Sequence, residues 1–585
     1  MASRNLVVRV AGESGEGVIS TGDLVAQAAA RAGYELLTFK TYPAEIKGGQ
    51  ALIQLRLGEQ RLYTQGDEVD ILLAFNREAF DKNIADLKEG GLLIYDSADF
   101  TPPDSSDRRQ YAVPLAEIAR SQLRFELGKN VIAVGVVAAL FGLSRDQLTR
   151  LLREKFARKG DDVVAKNLEA LDAGIRFVRE HLGDTSDFAV SPGQARDDII
   201  VVSGNQALAM GVIAAGCRNY FGYPITPATD IMEFLAAELP KVGGSVVQAE
   251  DEISAAGMVL GASYGGARAM SATSGPGLSL MVEMLGLGVM AELPAVIVDV
   301  QRAGPSTGMP TKHEQGDLNL AVSGGHGDIG RIVLAPTSVG DCFNQAINAF
   351  NLAEHYQVPV ILLSDTILAM RTERIARPDL SEIRLESRKL YEPSSHSDNG
   401  ENGQSEKFKR YALTQTGVSA MSIPGQAGGQ YVATGLEHSE RGRPRYDPVS
   451  HEKMTEKRFR KLEAAVQDAP PADRFGDPSA EVGIVTWGSS LGPVAEAVEQ
   501  ARELGIPVDA IAPKMLWPLP DHQLAEFVRS KRVVIVPEVN YTGQFADLLA
   551  ARYHREFVKL NRYGGVPFKV AEILKAIQEV GHHVG

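Results

Sequence analysis

Cysteine is almost absent from this chain, which has only two among its 585 residues. Cys217 and Cys342 lie far apart and form no Cys-x-x-Cys pair, so a disulfide framework is excluded. Because an iron–sulfur cluster needs about four thiolates, this chain cannot hold one alone. Chemistry that passes electrons to a cluster would therefore need cysteines from another chain.

Long apolar runs are also scarce. The longest apolar region, residues 278–300, is interrupted by Glu283, Glu292 and Pro294, which favours a buried helix followed by a strand over a membrane span. The opening residues run directly into a strand-like segment, without the apolar stretch of a secretory signal peptide. We therefore expect a cytoplasmic protein with no membrane partner.

Positive charge is in deficit, since 60 Lys and Arg residues against 74 Asp and Glu residues give a formal net charge of −14. A nucleic acid partner is not expected, because binding phosphates needs a basic face. The composition, with 44% hydrophobic and 23% charged residues, is otherwise that of an ordinary globular protein. A chain of this length is too long for one hydrophobic core and is expected to form several domains.

Strand and helix patterns divide the chain into three α/β units. An apolar strand, a glycine turn at residues 12–17 and a helical pattern open the first unit, and similar apolar strands open the other two. The region after residue 375 is rich in Ser, Asn, Glu, Lys and Arg and is predicted to pack over a site or a partner, with disorder as the alternative. We predict three parallel-sheet α/β domains at 1–185, 199–375 and 479–585, a linker at 186–198 and an irregular region at 376–478.

The most informative stretch is residues 223–227, which read Tyr-Pro-Ile-Thr-Pro. The two prolines have fixed backbone angles and hold the hydroxyl of Thr226 in one direction, where it can donate to a carboxylate. A plain rigid turn after a strand is the commoner use of such prolines. From these residues alone, that alternative stays open.

Glu252 begins the sequence Glu-Ile-Ser-Ala-Ala-Gly, a run of small residues that indicates a helix start. A carboxylic acid in an apolar site, with its pKa raised, can hydrogen-bond the aminopyrimidine of thiamine diphosphate and activate that cofactor. The small residues would let the cofactor ring approach closely. Glu250 and Asp251 come just before, so a carboxylate that only stabilises a helix N-terminus is the alternative.

Arg302 and Thr307 follow a predicted strand, at the edge where α/β sheets place their ligands. A guanidinium there can bind a carboxylate through two parallel hydrogen bonds, which Lys cannot do. An ordinary surface ion pair is the alternative for Arg302.

The motifs at residues 223–227, 252–257 and 301–308 resemble the α subunit of the 2-oxoacid:ferredoxin oxidoreductases, and the resemblance covers nearly the whole chain. It implies a γ-type domain, a pyrimidine-binding domain for thiamine diphosphate and a transketolase C-terminal-like domain. It also implies oxidative decarboxylation of a 2-oxoacid with coenzyme A and ferredoxin, or the reverse reaction. The fused γ domain looks most like the 2-oxoglutarate enzymes, with pyruvate and branched-chain or indole 2-oxoacids as alternatives.

The resemblance also assigns roles to individual residues. Glu252 corresponds to the activating glutamate, and Lys47 would meet the distal carboxylate of 2-oxoglutarate, although one basic residue before a Gly-Gly turn is ordinarily just solvated. The glycine run at 12–17 resembles the opening of the γ domain, which is implied to help bind coenzyme A. The residues implied at the substrate are Thr226, Arg302, Thr307 and Lys47, and those at the cofactor are Glu252, Tyr223, Pro224 and Ile225.

Two features of the complete enzyme are missing. The chain has no Gly-Asp-Gly segment with a downstream Asn, the pattern with which thiamine enzymes anchor Mg²⁺ and the diphosphate. It also lacks the cysteines for a 4Fe–4S cluster. Both absences imply a partner β subunit that carries thiamine diphosphate, Mg²⁺ and a cluster, in an αβ unit that commonly forms (αβ)2.

Two other classes of function stay open. One is a nicotinamide-dependent dehydrogenase, although the run at 12–17 departs from the G-x-G-x-x-G spacing and has no acidic partner. The other is a non-catalytic interaction subunit that shapes a partner's site. His313 and Glu314 are adjacent, with no second His at metalloprotease spacing, so we expect no metal site in this chain.

Overall fold

The computed structural model describes residues 5–43, 48–182, 191–193, 196, 198–392 and 408–584. The chain divides into two compact units, and both are α/β, as predicted. The first unit contains Met1–Ser203, Met370–Arg377 and Lys569–Ala571, and the second contains the remainder. Among the described residues, no helix combines the length and the apolar character that crossing a membrane requires.

The first unit is built on one eight-stranded sheet. Its core strand Asn5–Glu13 pairs in parallel with Val69–Ala74 and antiparallel with Gln50–Gly58. From edge to edge the strands are Arg109–Val113, Leu87–Asp96, Val69–Ala74, Asn5–Glu13, Gln50–Gly58, Glu35–Thr41, Thr372–Ala376 and Ile199–Ser203. The helices are Val18–Arg31, Arg77–Asn83, Leu115–Glu117, Lys129–Phe141, Arg145–Phe156 and Asp161–His181.

Four of the seven strand pairings in this sheet are antiparallel, so the prediction of a parallel sheet is wrong there. Glu35–Thr41 and Gln50–Gly58 are joined by too few residues for a crossover helix and therefore pair antiparallel. Ile199–Ser203, which the sequence suggests as the start of the next domain, instead pairs with Thr372–Ala376 in this first sheet. An apolar strand does not itself specify which sheet it will join.

The second unit holds two sheets, each parallel except for one edge strand. In the larger sheet the strands are, from edge to edge, Met515–Trp517, Ile332–Leu334, Pro359–Asp365, Ala295–Gln301, Ala269–Thr273, Asn219–Gly222 and Ser245–Gln248. In the smaller they are Asp473–Gly476, Asp509–Ala512, Val482–Val485, Val533–Glu538 and Val558–Asn561. The helices are Gly204–Ala214, Thr229–Glu238, Glu252–Tyr264, Gly275–Met290, Leu318–Ser323, Val339–Tyr356, Thr366–Met370, Pro448–Ala465, Leu491–Glu503, Asp521–Ser530, Gln544–Tyr553 and Val570–Val584.

The strand order of the larger sheet defines where a ligand can bind. Asn219–Gly222 has the next strand, Ser245–Gln248, on one side and the following one, Ala269–Thr273, on the other. The connections therefore leave in opposite directions at this point, which opens a crevice beyond the carboxyl ends of the strands. The loop at 223–227 and Glu252 both lie at that edge.

The described part of the region after residue 377 is folded, so disorder is the wrong expectation for it. It contains the helix Pro448–Ala465 and the fully buried side chains Tyr411 and Met421. This region is held to the larger sheet by contacts with Glu292. Glu292 comes just before the strand Ala295–Gln301 and therefore lies at the amino end of that sheet. These anchoring contacts are therefore at the opposite edge from the crevice.

Glu292 belongs to a buried cluster of charged side chains. Both Glu292 carboxylate oxygens accept hydrogen bonds from Lys457 Nζ at 2.6 Å, and Lys461 also pairs with Glu292. Burial alone would raise the pKa of Glu292, but Lys461, Lys457 and Arg410 together hold that pKa below its ordinary value. Burial, partly offset by Glu292, lowers the pKa of Lys461 to about 7.

Replacing Glu292 with Gln is expected to lower the free energy of unfolding by about 3–5 kcal/mol, because it leaves buried lysines without a counter-charge. The urea midpoint of the unfolding transition measures this effect. The exposed pair Lys241–Glu238 provides a matched control, since Glu238→Gln should cost less than about 1 kcal/mol. Equal effects of the two substitutions would contradict a stabilising role for the cluster.

Candidate active site

The loop at 223–227 is held from both sides by hydrogen bonds to its backbone. Asn205 Nδ2 donates to the Pro227 carbonyl at 2.8 Å, and Arg302 Nη1 donates to the Thr226 carbonyl at 2.6 Å. The structure thus brings Thr226 and Arg302 together, although they are far apart in the sequence. The preceding residues Tyr223 and Pro224 are exposed, while Ile225 and Thr226 are half-buried.

Glu252 is the first residue of the helix Glu252–Tyr264, as predicted, but it does not cap that helix. The cap is Asp251, whose Oδ1 accepts a hydrogen bond from the Ser254 amide at 2.7 Å. Glu252 is only 6% exposed. Asp251 therefore supplies the side-chain cap, while Glu252 lies in the first turn, where its carboxylate also stabilises the helix N-terminus.

Glycine makes room for the Glu252 carboxylate. A Cβ atom added at Gly277 would lie 2.6 Å from Glu252 Oε1 and 2.0 Å from Thr273 Oγ1. Because real Cβ atoms do not approach so closely, any other residue at this position would displace one of the two side chains. The start of the helix Gly275–Met290 thus forms a glycine floor beside Glu252.

The small residues after Glu252 pack against the neighbouring helix. Ala255 and Ala256 are buried in a hydrophobic cluster with Leu278 and Met281 of the neighbouring helix. Their small side chains allow the two helices to pack closely. A Cβ atom added at Gly257, in contrast, would find open space within 4 Å.

Arg302 follows the strand Ala295–Gln301 directly, as predicted, and its side chain is buried rather than in a surface ion pair. Its Nε is buried without a hydrogen-bond acceptor among the described residues. Burial lowers the pKa of Arg302, and the nearby carboxyl groups of Asp317 and Asp299 oppose that effect. An anionic ligand would supply the acceptor that Nε lacks.

Thr307 lies in the exposed loop beyond Arg302, which the Met309 amide closes by donating to the Ala303 carbonyl at 2.9 Å. In the described residues no hydrogen bond joins Thr307 to Arg302 or Thr226. Lys47 lies outside the described residues, so its predicted contact has no structural description.

In the glycine loop at residues 12–17, the Glu16 carboxylate is bound by groups of the protein itself. Glu16 Oε2 accepts from the Glu13 amide and from Asn76 Nδ2, both at 2.8 Å, and Lys129 Nζ reaches Glu16 Oε1 at 3.0 Å. The Glu13 amide of this loop is therefore already engaged within the protein.

Sequence reasoning missed two carboxyl groups beside Arg302. Asp299 lies inside the strand Ala295–Gln301 and is fully buried, and Asp317 precedes the short helix Leu318–Ser323. The signal for Asp299 was available, because an acidic residue in the middle of an apolar strand is rarely buried without a specific reason.

Asn540 and Gln544, which follow the strand Val533–Glu538 of the smaller sheet, hold the loop that carries Asp317. Gln544 Nε2 donates to the Gly316 carbonyl at 2.7 Å, and the Asn319 amide donates to Gln544 Oε1 at 2.8 Å. Asn540 Nδ2 adds a third hydrogen bond, to the Gln315 carbonyl at 3.0 Å. These contacts fix the backbone on both sides of Asp317.

His313 is buried beside Asp365 and Ser489, each 3.5 Å from a different ring nitrogen. Burial, only partly offset by Asp365, lowers the pKa of His313, so the ring is neutral at pH 7. All three residues are at most 5% exposed. In the part of the chain that the structure describes, no cluster of side chains suits a metal ion.

Known families match successive parts of the chain. "Pyruvate ferredoxin/flavodoxin oxidoreductase" matches residues 7–177, and "Pyruvate:ferredoxin oxidoreductase core domain II" matches residues 480–573. Between them, "Pyruvate flavodoxin/ferredoxin oxidoreductase, thiamine diP-bdg" matches residues 210–457, which include the crevice. The fold and the crevice thus define a thiamine-diphosphate-binding domain of an oxidoreductase.

Full-length relatives agree with these matches. The 2-oxoglutarate oxidoreductase subunit KorA of Mycobacterium tuberculosis is 36% identical, over 98% of this chain and 91% of that protein. The subunit alpha of 2-oxoacid:ferredoxin oxidoreductase 2 of Aeropyrum pernix is 32% identical, over 98% of this chain and 97% of that protein. The chain therefore belongs to the 2-oxoacid:ferredoxin oxidoreductase family.

One solved structure is similar over the whole length. It is the 2-oxoglutarate:ferredoxin oxidoreductase from Magnetococcus marinus with 2-oxoglutarate, coenzyme A and succinyl-CoA bound. The TM-score is 0.92 and the sequence identity is 43%, over 99% of this chain and 100% of that one.

Proposed function

We propose that this chain is the α subunit of a thiamine diphosphate-dependent 2-oxoglutarate:ferredoxin oxidoreductase. It would interconvert 2-oxoglutarate, coenzyme A and oxidised ferredoxin with succinyl-CoA, CO₂ and reduced ferredoxin. The observation that carries the proposal is the convergence of Thr226, Glu252 and Arg302 at one crevice. The similarity to a 2-oxoglutarate enzyme over the full chain supports the choice of substrate.

The crevice fits the aminopyrimidine end of thiamine diphosphate. Glu252 is a buried carboxyl group over a glycine floor at Gly277, which suits hydrogen bonding to a ring nitrogen. When bound, thiamine diphosphate supplies a carbon nucleophile that attacks the ketone of a 2-oxoacid and stabilises the electrons left by decarboxylation. Glu252 would hold and exchange a proton with the cofactor ring, and Tyr223, Pro224 and Ile225 would line its binding site.

The substrate would be held by groups that recognise a carboxylate. Arg302 would bind the carboxylate next to the ketone, since its Nε lacks an acceptor, and the hydroxyls of Thr226 and Thr307 would orient the same group. Lys47 would meet the distal carboxylate of 2-oxoglutarate. This last assignment distinguishes a dicarboxylate from pyruvate.

The chain is proposed to act with a β subunit that carries Mg²⁺, the diphosphate end of the cofactor and a 4Fe–4S cluster that passes electrons to ferredoxin. Two helices that start at the crevice support this, because they expose apolar side chains. Ile253 and Met258 are 44% and 39% exposed, and Leu280 on the neighbouring helix is 48% exposed. We propose that the β subunit covers this surface, and that the αβ units form (αβ)2 in the cytoplasm.

Replacing Ile253 with Asp is expected to reduce the amount of β subunit that co-purifies with the chain, because the interface would bury an unpaired charge. Quantitative gel analysis after affinity capture of co-expressed subunits measures the ratio of the two. Leu504, which is 58% exposed beyond the helix Leu491–Glu503, gives the control Leu504→Asp. Equal loss of the β subunit in both variants would contradict the assignment of this surface.

The function is tested on the complex isolated without oxygen, by following reduction of a viologen dye. Reduction that requires both 2-oxoglutarate and coenzyme A is expected, and pyruvate and branched 2-oxoacids are compared in the same assay. Activity with pyruvate alone would move the substrate assignment to that acid. No reduction with any 2-oxoacid would overturn the proposal, while turnover of a nicotinamide cofactor would favour a dehydrogenase.

The predicted division into γ-type, pyrimidine-binding and C-terminal domains remains part of the proposal, although the strand Ile199–Ser203 pairs in the first sheet. The family matches to residues 7–177, 210–457 and 480–573 support a division into three.

A further inference from the structure

Asp299 is a carboxyl group in the core of the larger sheet, beside the crevice. It is fully buried, and neither of its oxygens receives a hydrogen bond from an amide, hydroxyl or amine of the described residues. A buried charge without a donor is costly, so an isolated Asp here would be protonated. The neighbouring strand places Thr273, which contacts the Gly277 floor of Glu252, directly beside it in the sheet register.

Asp317 brings a second carboxyl group to the same place. It lies within hydrogen-bonding reach of Asp299, and its Oδ2 also has no donor among the described polar groups. Its backbone amide donates to Gln301 Oε1 at 3.1 Å, and its carboxyl group lies against Gly275 at the start of a helix. Because Asp299 has no donor at either oxygen, the two adjacent carboxyl groups can hydrogen-bond each other only if one of them is protonated.

Burial and the contact between the two carboxyl groups also shift their pKa values. Burial, together with the hydrogen bond and repulsion from Asp317, raises the pKa of Asp299 well above its ordinary value. Burial also raises the pKa of Asp317, to about 6, although the hydrogen bond from Asp299 and the charge of Arg302 oppose the shift and Glu314 adds to it. The charged groups that face the pair are thus Arg302, Glu314 and the positive end of the helix at Gly275.

We propose that Asp299 and Asp317 form an acid–carboxylate pair that sets the charge around Arg302 and takes up one proton from solvent when the substrate carboxylate binds there. This inference rests on the proposed function, since it assumes that a 2-oxoacid binds Arg302. Without substrate, the single negative charge of the pair balances the guanidinium. When the substrate brings its own carboxylate, the second proton prevents repulsion between the two anions.

Proton linkage sets the direction in which substrate binding depends on pH. Above about pH 6 the free pair carries a negative charge that competes with the substrate for Arg302, and below about pH 6 it is neutral. The substrate therefore binds more tightly to the protonated pair, and its KM rises with pH above about 6. Since 2-oxoglutarate remains a dianion throughout this range, the change belongs to the protein.

The test compares the wild-type complex with the Asp317→Asn variant and the Asp299→Asn/Asp317→Asn double variant. KM and kcat for 2-oxoglutarate are measured separately between pH 6 and pH 8. For the wild type we expect KM to rise by about 5-fold to about 100-fold over this range, as for a typical coupling between two sites. The double variant has no carboxyl group to titrate, so its KM should be flat and lower than that of the wild type at pH 8.

Glu314→Gln is the matched control, because it removes a neighbouring carboxylate but leaves the pair intact. Its KM should still rise with pH, with the transition displaced to lower pH because Glu314 no longer raises the pKa of Asp317. Calorimetry of the complex with N-oxalylglycine, a non-decarboxylated 2-oxoglutarate analogue, in two buffers of different ionisation enthalpy gives a second readout. At pH 7 the wild type should take up part of one proton and the double variant none.

The outcomes separate the two proposals. Turnover by all variants with the same pH slope of KM would overturn the role of the pair and leave the proposed function intact. A wild-type complex that turns over no 2-oxoacid would overturn the proposed function and, with it, this inference. A variant that fails to assemble leaves the wild-type proton uptake as the deciding measurement, and its absence would refute the pair.

Discussion

The complex with Glu252→Gln is expected to lose activity by a factor of about 10² to about 10⁴ in kcat, the usual contribution of a positioned acid–base group. Glutamine has the same shape and keeps the packing over Gly277, but its amide cannot share a proton with the cofactor ring. Steady-state viologen reduction measures kcat, and the thiamine diphosphate content of the variant shows that the loss is in turnover.

Asp251 offers the control for this substitution. Asp251→Asn removes a carboxylate from the neighbouring position, while asparagine caps the helix about as well as aspartate. Its effect on kcat should be small, since the side chain is part of the helix cap and is not at the glycine floor. A Glu252→Gln complex as active as wild type would favour the non-catalytic alternative, in which the chain only shapes a partner's site.

Arg302→Ala is expected to reduce kcat/KM for 2-oxoglutarate by about 30-fold to about 5,000-fold. This factor corresponds to a loss of about 2–5 kcal/mol of binding free energy. The reason is that alanine leaves the buried substrate carboxylate without its counter-charge. It also removes the hydrogen bond that holds the Thr226 carbonyl, so kcat should fall together with the rise in KM.

Arg302→Lys separates charge from geometry. Lysine restores the charge but cannot form two parallel hydrogen bonds, so we expect only partial recovery. Arg552, which pairs with Asp521 on the surface, gives the control Arg552→Ala, which should leave kcat/KM unchanged. Normal activity of the Arg302→Ala complex would contradict its assignment to the substrate.

The sequence predicted the elements of the site better than their packing. The strand before Arg302, the helix start at Glu252 and the fixed loop around Thr226 follow from local patterns of apolar residues, small residues and prolines. The buried ion-pair cluster at Glu292 could not be predicted in the same way. Its lysines come from a helix more than a hundred residues downstream, in a region whose composition alone suggests a loop.

The pair Asp299 and Asp317 shows the same limit within the site. Either residue alone is an ordinary acidic residue in the sequence, and only their contact makes a shared proton possible. The antiparallel part of the first sheet was missed for a related reason. Pairing direction depends on the length of the connection and on the neighbouring strand, which apolar content does not report.

The sequence by itself determined the α/β class, the positions of the main strands and helices, and the three motifs that resemble one enzyme family, because these depend on residues close together along the chain. Only the tertiary structure decided which strands share a sheet, that Thr226 and Arg302 meet, and that a second carboxyl group lies beside Asp299. The physical reason is that burial and electrostatic coupling depend on distances in space, which the order of residues does not fix.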